Sequence, residues 1–231
     1  MISVIIPTYN EADHIANTIN RVLLTKDEYP VEIIVVDGGS EDGTVSIAKE
    51  LGVITVIAER KGRGAQMNQG ATIASGETLY FLHADSRPPT GFARYITNAL
   101  GKGASSGCFR LAFDYSHWFL RANCWFTRFN INAVRFGDQS LFVKKTVFLA
   151  CGKFREDLVV MEDQEIIHRI RKFGNFVVMN AAVITSARKY HENGVYKMQA
   201  IFFRIWLLYY LGYSQDYILK LYRSQIRKHK L

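Results

Sequence analysis

The chain is short of the features that mark several common architectures. It has three cysteines in 231 residues, Cys108, Cys124 and Cys151, set 16 and 27 residues apart. That spacing fits neither a zinc knuckle nor a disulfide framework, so free thiols in a reducing, cytoplasmic compartment are expected. The N-terminus runs straight into ISVIIP, with no basic region ahead of a long apolar segment, so no signal peptide is indicated. The apolar run Ile201–Tyr213 is interrupted by Arg204 and is too short to span a bilayer. Internal repeats and low-complexity linkers are absent. No Gly-x-Gly-x-x-Gly turn follows the first strand-like run, and after Gly62-Arg63-Gly64 the place of the third glycine is taken by Met67. A Gly-x-x-x-x-Gly-Lys-Ser/Thr loop is missing too. Dinucleotide dehydrogenases and the common nucleotide triphosphatases are thereby excluded.

What is present is the composition of a globular chain, 48% hydrophobic and 22% charged. The net charge of +8 is unevenly spread: Lys220, Arg223, Arg227, Lys228 and Lys230 supply +5 in the last dozen residues, leaving +3 for the body. No stripe of cations interleaved with aromatics occurs at regular spacing, which argues against nucleic acid as a partner. A basic tail behind an aromatic segment suits an anionic membrane surface, here the inner face of the cell membrane. A solvated tail on a basic protein explains it equally well.

The first hundred residues alternate between β-branched runs and helical patterns. Strands are expected at Ser3–Pro7, Val31–Asp37, Val53–Ala58 and Thr78–His83, and helices near Ala12–Leu24, Gly43–Leu51, Gly64–Ala74 and Phe92–Leu100. Asn10 and Asp13 read as a capping pair for the first helix, whose Ile15, Ile19, Val22 and Leu23 share a face. Such alternation predicts an α/β fold with a mostly parallel, twisted sheet flanked by helices, and ligands beyond the carboxyl ends of its strands. Further on, Cys108–Asp114 reads as a strand, and His117–Val134 as an aromatic-rich helix. Phe136–Val143 reads as a turn into a strand, and Glu162–Phe173 as a helix. Asp163 shares the inward face of Ile166, Ile167 and Ile170, where free backbone donors of the first turn favour an anion.

The segments after the strand candidates gather acids, hydroxyls and glycines. Asp37 is placed to accept hydrogen bonds from a ribose or base. Asp85 suits a divalent cation, Mg²⁺ or Mn²⁺, that would neutralise a diphosphate. Asp163 suits proton removal from an attacking hydroxyl, and Arg60, Lys61 and Arg63 offer charge to phosphate oxygens. These are parts for displacing a nucleoside diphosphate from a sugar carbon. Each residue alone also has a plainer reading: Asp37 starts a turn, Asp85 caps a loop, and Glu162 and Asp163 cap their helix.

The motifs PTYNEA at 7–12, VVDGGSEDGT at 35–44, LHADS at 82–86 and MEDQEIIHRIRKFG at 161–174 resemble, in order and spacing, those of family 2 glycosyltransferases. FGDQSLFV at 136–143, RKGRGAQMNQGA at 60–71 and TSARK at 185–189 further resemble a bacterial subgroup associated with arsenosugar or selenium metabolism. The resemblance implies a GT-A fold and inverting transfer of a hexosyl group from a nucleotide sugar, expected to be UDP-linked, to a hydroxyl of a small metabolite or lipid. It implies that Pro7, Thr8, Tyr9 and Glu11 line the nucleoside pocket, that Asp37 bonds the base or ribose, and that Arg63 lies near the base or diphosphate. Asp85 matches the last acid of the metal motif and Asp163 the catalytic base, with Glu162 beside it. Asp138 and Gln139 match the acceptor-facing segment, and His191 matches a late histidine that approaches the diphosphate or metal in some relatives.

The chain departs from the wider family at His83, where an acid is common, so the expectation is a metal that binds mainly with the donor. The division expected is a GT-A domain at 1–192, with a nucleotide-sugar half at 1–103 and an acceptor half at 104–192. A helical, basic extension follows at 193–231. Phe202, Ile205, Trp206 and Tyr209 in that extension have helical spacing and could pack on the domain, form a dimer seam or sit at a membrane interface. Two other functions fit some of the same parts: a sugar-1-phosphate nucleotidyltransferase, which wants a basic glycine-rich loop where Tyr9-Asn10-Glu11 stands, and a non-catalytic nucleotide-sugar-binding protein.

Overall fold

The computed structural model describes residues 1–132 and 137–226. Strands β1 (Ile2–Thr8), β2 (Val31–Asp37), β3 (Ile54–Ile57) and β4 (Thr78–Phe81) pair in parallel in the order β3-β2-β1-β4. The sheet continues through β7 (Leu141–Lys144), β6 (Ala104–Phe113), β8 (Asn175–Thr185) and the short β5 (Ser86–Arg87). β7 runs antiparallel to both β4 and β6, whereas β6 and β8 are parallel. The sheet is therefore mixed, with its parallel part confined to the first four strands and to β6–β8.

Side-chain alternation builds two cores from one sheet. Val4 and Ile6 of β1 face one side with Ile33 and Val35 of β2, while Ile5 faces the other with Ile34 and Val36. The first side is covered by α1 (Ala12–Thr25), α2 (Thr44–Glu50) and α4 (Phe92–Gly101), through Ile15, Ile19, Val22, Ala48, Phe92 and Ile96. The second is covered by α3 (Arg63–Ile73), α6 (Lys145–Ala150) and α7 (Glu162–Ile170), through Met67, Ala71, Phe148, Ile166 and Ile170. A third cluster joins α5 (Trp118–Phe126), α8 (Arg188–Asn193), α9 (Val195–Tyr210) and α10 (Gln215–Gln225), around Leu120, Tyr190, Met198, Ile205 and Ile218. The C-terminal extension is thus packed on its own apolar core.

Several expectations change. Asn10 does not cap α1: it is left-handed at φ 52°, and its Oδ1 accepts from the Glu41 amide. The helix entrance is held from the next loop instead, because Glu11 and Ala12 amides donate to Thr44 Oγ1 and Asp42 Oδ2. The strand expected to reach His83 stops at Phe81, since the Ser86 amide turns back to the His83 carbonyl. The helix expected over His117–Val134 ends at Phe126, where the Thr127 hydroxyl donates to the Cys124 carbonyl. Residues 133 and 134 of that stretch, and Phe136 of the next, lie outside the described residues, as do Arg227, Lys228 and Lys230 of the basic tail. No helix among the described residues is long and apolar enough to cross a membrane.

α3 comes so close to β1 that a Cβ added at Gly70 would lie 2.5 Å from Ile5 Cγ2. Gly70→Ala is expected to destabilise the protein by about 1–3 kcal/mol, the usual cost of overpacking a filled core. Urea unfolding followed by circular dichroism checks this, and an unchanged midpoint would show that the helix can move away freely.

Candidate active site

A cavity of about 640 Å³ opens beyond the carboxyl ends of β1, β2 and β4. The loop after β1 contributes Tyr9 and Glu11, the loop after β2 contributes Gly38, and the turn after β4 contributes His83, Ala84 and Asp85. Lys61 and Arg63 enter from the start of α3, Asp163 from the start of α7, and Asp138 from a short 3-10 turn, Gly137–Gln139. Arg188 and Lys189 reach it from α8.

Five ionisable groups are wired together across the cavity floor. Arg63 Nη2 lies 3.1 Å from Asp163 Oδ2, and the same guanidinium binds Glu162, whose residue is wholly buried. Arg63 Nη1 is 3.4 Å from His83 Nε2, and His83 Nδ1 is 3.1 Å from Asp138 Oδ1. Neutral His83 would donate from Nδ1 to Asp138 and accept at Nε2 from Arg63. Burial and the Arg63 charge both oppose protonation of His83, yet the bond and charge of Asp138 carry its pKa above the ordinary imidazole value. Burial likewise works against the Asp138 carboxylate, but the His83 hydrogen bond and charge hold its pKa down at about 2.

Asp85 behaves differently. Burial pushes its carboxyl up, and the nearby Asp138 and Glu11 charges push it further. No group of three or more metal-ligating side chains occurs among the described residues. Asp85 and Asp138 nonetheless face one cavity and repel each other, which is the arrangement a cation relieves.

Residues 3–155 match the sequence signature of Glycosyl transferase family 2. The chain belongs to that family. This family 2 chain is 41% identical over 96 residues to Glycosyltransferase AglE of Haloferax volcanii, a match covering 38% of the chain and 31% of AglE. It is 32% identical over 99 residues to a dolichyl-phosphate beta-glucosyltransferase of Drosophila melanogaster, covering 36% of the chain and 30% of that protein. The match thus spans less than a third of either relative's length. Among solved structures, the mannosyltransferase PcManGT from Pyrobaculum calidifontis, in complex with GDP-Man and Mn²⁺, superposes at TM-score 0.70 and 18% identity, covering 95% of this chain and 68% of that one. S. aureus TarS 1-349 in complex with UDP-GlcNAc superposes at 0.68 and 17%, covering 96% and 70%. The α/β fold is that of the GT-A glycosyltransferases.

Of the residues singled out in this family 2 chain, Pro7, Tyr9, Glu11, Arg63, Asp85, Asp138 and Asp163 line the cavity. The others are placed elsewhere. Asp37 is wholly buried: Oδ1 accepts from the Gly39 and Ser40 amides, and Oδ2 from the Ser40 and Thr8 hydroxyls. Thr8 and Asp37 therefore shape the loop from beneath, and Gly38 is what the cavity meets. Glu162 anchors Arg63 from below. Gln139 is buried, its Nε2 donating to the Phe109 carbonyl at 3.1 Å, because a side chain on that turn points into the sheet. His191 is exposed and lies against Tyr115, ring centroids 4.1 Å apart, while its neighbours Lys189 and Tyr190 line the cavity. Arg60 is exposed and paired with Glu156 at 3.2 Å.

Sequence reasoning missed the contribution of Lys189 and of the C-terminal helices. The first had a signal in TSARK; the second had only helical spacing, with no sign of its target.

The wiring around His83 has a measurable sign. In the metal-free protein its NMR titration is expected to give a pKa above 6.5. In Asp138→Asn that value should fall, because the bond and charge of Asp138 no longer offset burial and the Arg63 charge, leaving only the smaller pull of Asp163. The raised pKa of His83 makes its contribution to stability complete below its unfolded value of about 6.5 and lost as pH rises through the folded pKa. The depressed pKa of Asp138 gives a contribution present above about 3.9 and lost as pH falls towards 2. The pair stabilises most between those limits. An unshifted His83 in both proteins would contradict the assignment.

Proposed function

We propose that the chain is an inverting glycosyltransferase that moves a hexosyl group from a UDP-linked sugar to an acceptor hydroxyl, with Asp163 as general base. The observation that carries this reading is Asp163 itself: an acid in the first turn of α7, open to the cavity, 3.1 Å from a cation on the opposite wall. The solved relatives bound to UDP-GlcNAc, or to GDP-Man with Mn²⁺, support a nucleotide sugar as donor.

In this reading Pro7, Tyr9, Glu11 and Gly38 hold the nucleoside, and Lys61, Arg63 and Lys189 face the diphosphate. A divalent cation bound with the donor would be held by Asp85 and Asp138, and it would neutralise charge on the leaving diphosphate. Because two carboxylates form a sparse donor set, such a cation would depend on the donor for the rest of its ligands. Arg63 has a second task. Without donor it occupies Asp163; a diphosphate competes for the guanidinium, and as Arg63 turns to it the Asp163 carboxylate is freed. The acceptor oxygen then attacks the anomeric carbon as its proton passes to Asp163. The bond from that carbon to the diphosphate oxygen breaks, and its electron pair leaves with the nucleoside diphosphate. Glu162 keeps Arg63 within reach throughout.

Asp163→Asn is expected to bind UDP normally and to lose transfer by about 10²–10⁴-fold, the usual worth of a positioned base. Transfer at the native rate would remove Asp163 from that role. Calorimetric titration with Mn²⁺ is expected to show weak binding to the ligand-free protein and much tighter binding with UDP present, an increase abolished in Asp85→Asn. Tight stoichiometric Mn²⁺ binding without nucleotide would contradict the two-carboxylate arrangement.

A further inference from the structure

The cavity has two chemically distinct ends. Its charged groups gather where β1, β2 and β4 finish, around Glu11, Arg63, Asp85, Asp138 and Asp163. The other end is walled by Leu111 and Phe113 of β6, Tyr190 of α8, Phe202, Ile205 and Trp206 of α9, and Tyr222 of α10. Among the described lining residues, α9 and α10 contribute a single charge, Arg223. Each amide at this end makes a bond within the protein. Asn123 Nδ2 donates to the Phe119 carbonyl at 2.9 Å, Gln199 Oε1 accepts from the Tyr190 hydroxyl at 3.2 Å, and Gln164 Oε1 accepts from the Tyr210 hydroxyl at 3.1 Å.

The two ends meet at the base. Val159, Val160 and Met161 line the cavity immediately before Glu162 opens α7, so the apolar wall comes within two residues of Asp163 along the chain. Ile205 and Tyr222 are nearly buried in the third core cluster, which fixes the wall rather than leaving it to adapt. A sugar or a phosphorylated metabolite would bring many hydroxyls to a surface made mostly of apolar side chains, and each one desolvated without a hydrogen bond costs affinity. An alkyl or aryl body gains from the same surface.

We propose that the acceptor is an amphipathic alcohol, whose alkyl or aryl body packs against Phe113, Val160, Phe202, Ile205 and Trp206 and whose hydroxyl is presented to Asp163. This rests on the donor reading above and names the acceptor class for the same site. The C-terminal helices then form the acceptor chamber of the enzyme.

The test uses the full chain saturated with UDP and Mn²⁺, titrated calorimetrically with butyl, hexyl and octyl β-glucosides below micellar concentrations, and with glucose and glycerol 3-phosphate. Affinity is expected to rise about four-fold per methylene, the factor for burying a CH₂, with glucose and glycerol 3-phosphate binding most weakly. Phe202→Ala should lose ten-fold or more in octyl glucoside affinity, and Phe202→Trp should shift the preferred chain to a shorter one. UDP affinity on the same samples reports whether each variant is folded. A flat series, tighter binding of glucose or glycerol 3-phosphate, or a climb unaffected by either Phe202 substitution would overturn the proposal. The series is run on nucleotide-free protein as well, so failure of UDP to bind while the climb persists would sink the donor reading alone. A gain that levels off within the medium chains marks an enclosed, soluble acceptor. Continued gain for octadecyl glucoside in phosphatidylcholine vesicles marks a lipid.

Discussion

Arg63 is the residue on which the site depends. Glu162 is wholly buried, and a carboxylate out of water needs a counter-charge and hydrogen bonds to remain there. Arg63 provides both from a position 99 residues earlier in the chain, and its second terminal nitrogen reaches Asp163 as well. One guanidinium thus ties the start of α3 to the start of α7, and with them the two halves of the cavity. The approach relies on Gly62, which precedes the helix at φ 116°, a backbone conformation that side chains with a Cβ rarely adopt. Arg63 also touches His83, so the chain of contacts extends to Asp138 on a third segment.

The sheet makes this convergence geometric. β1, β2 and β4 lie side by side in parallel, so the loops that leave them emerge at one edge regardless of their separation in sequence. Those loops are then stitched to each other: the Asn10, Glu11 and Ala12 amides are all received by side chains of residues 40–44. Asp37 does the same for its own turn, with both carboxylate oxygens engaged by neighbours. Acids that look alike in the sequence have separated into those that build loops, such as Asp37 and Asp42, and those that face the cavity, such as Asp85, Asp138 and Asp163.

Much of the fold was legible because its signals are local. β1 and β2 are almost uninterrupted apolar runs, as strands covered on both faces must be, and α1 carries its apolar residues at helical spacing. The candidate acids were legible because they fall just after such runs. Roles that depend on side-chain direction were not. Gln139 points into the sheet although Asp138 beside it faces the cavity, and His191 faces away although Lys189 lines it. One residue of offset on a tight turn, or two on a helix, reverses a side chain, and adjacency in the chain does not record it.

By itself the sequence determined the alternation of strands and helices, the family to which the chain belongs, and the set of ionisable groups at the strand ends, because each follows from local patterning or ordered motifs. Only the tertiary structure decided that Asp138 meets His83, that Glu162 is spent holding Arg63, and that Phe202, Ile205 and Trp206 turn towards the cavity. Those are choices among partners far apart along the chain. They are made by which surfaces close against each other as the chain packs, and helical spacing specifies that a face is buried without specifying against what.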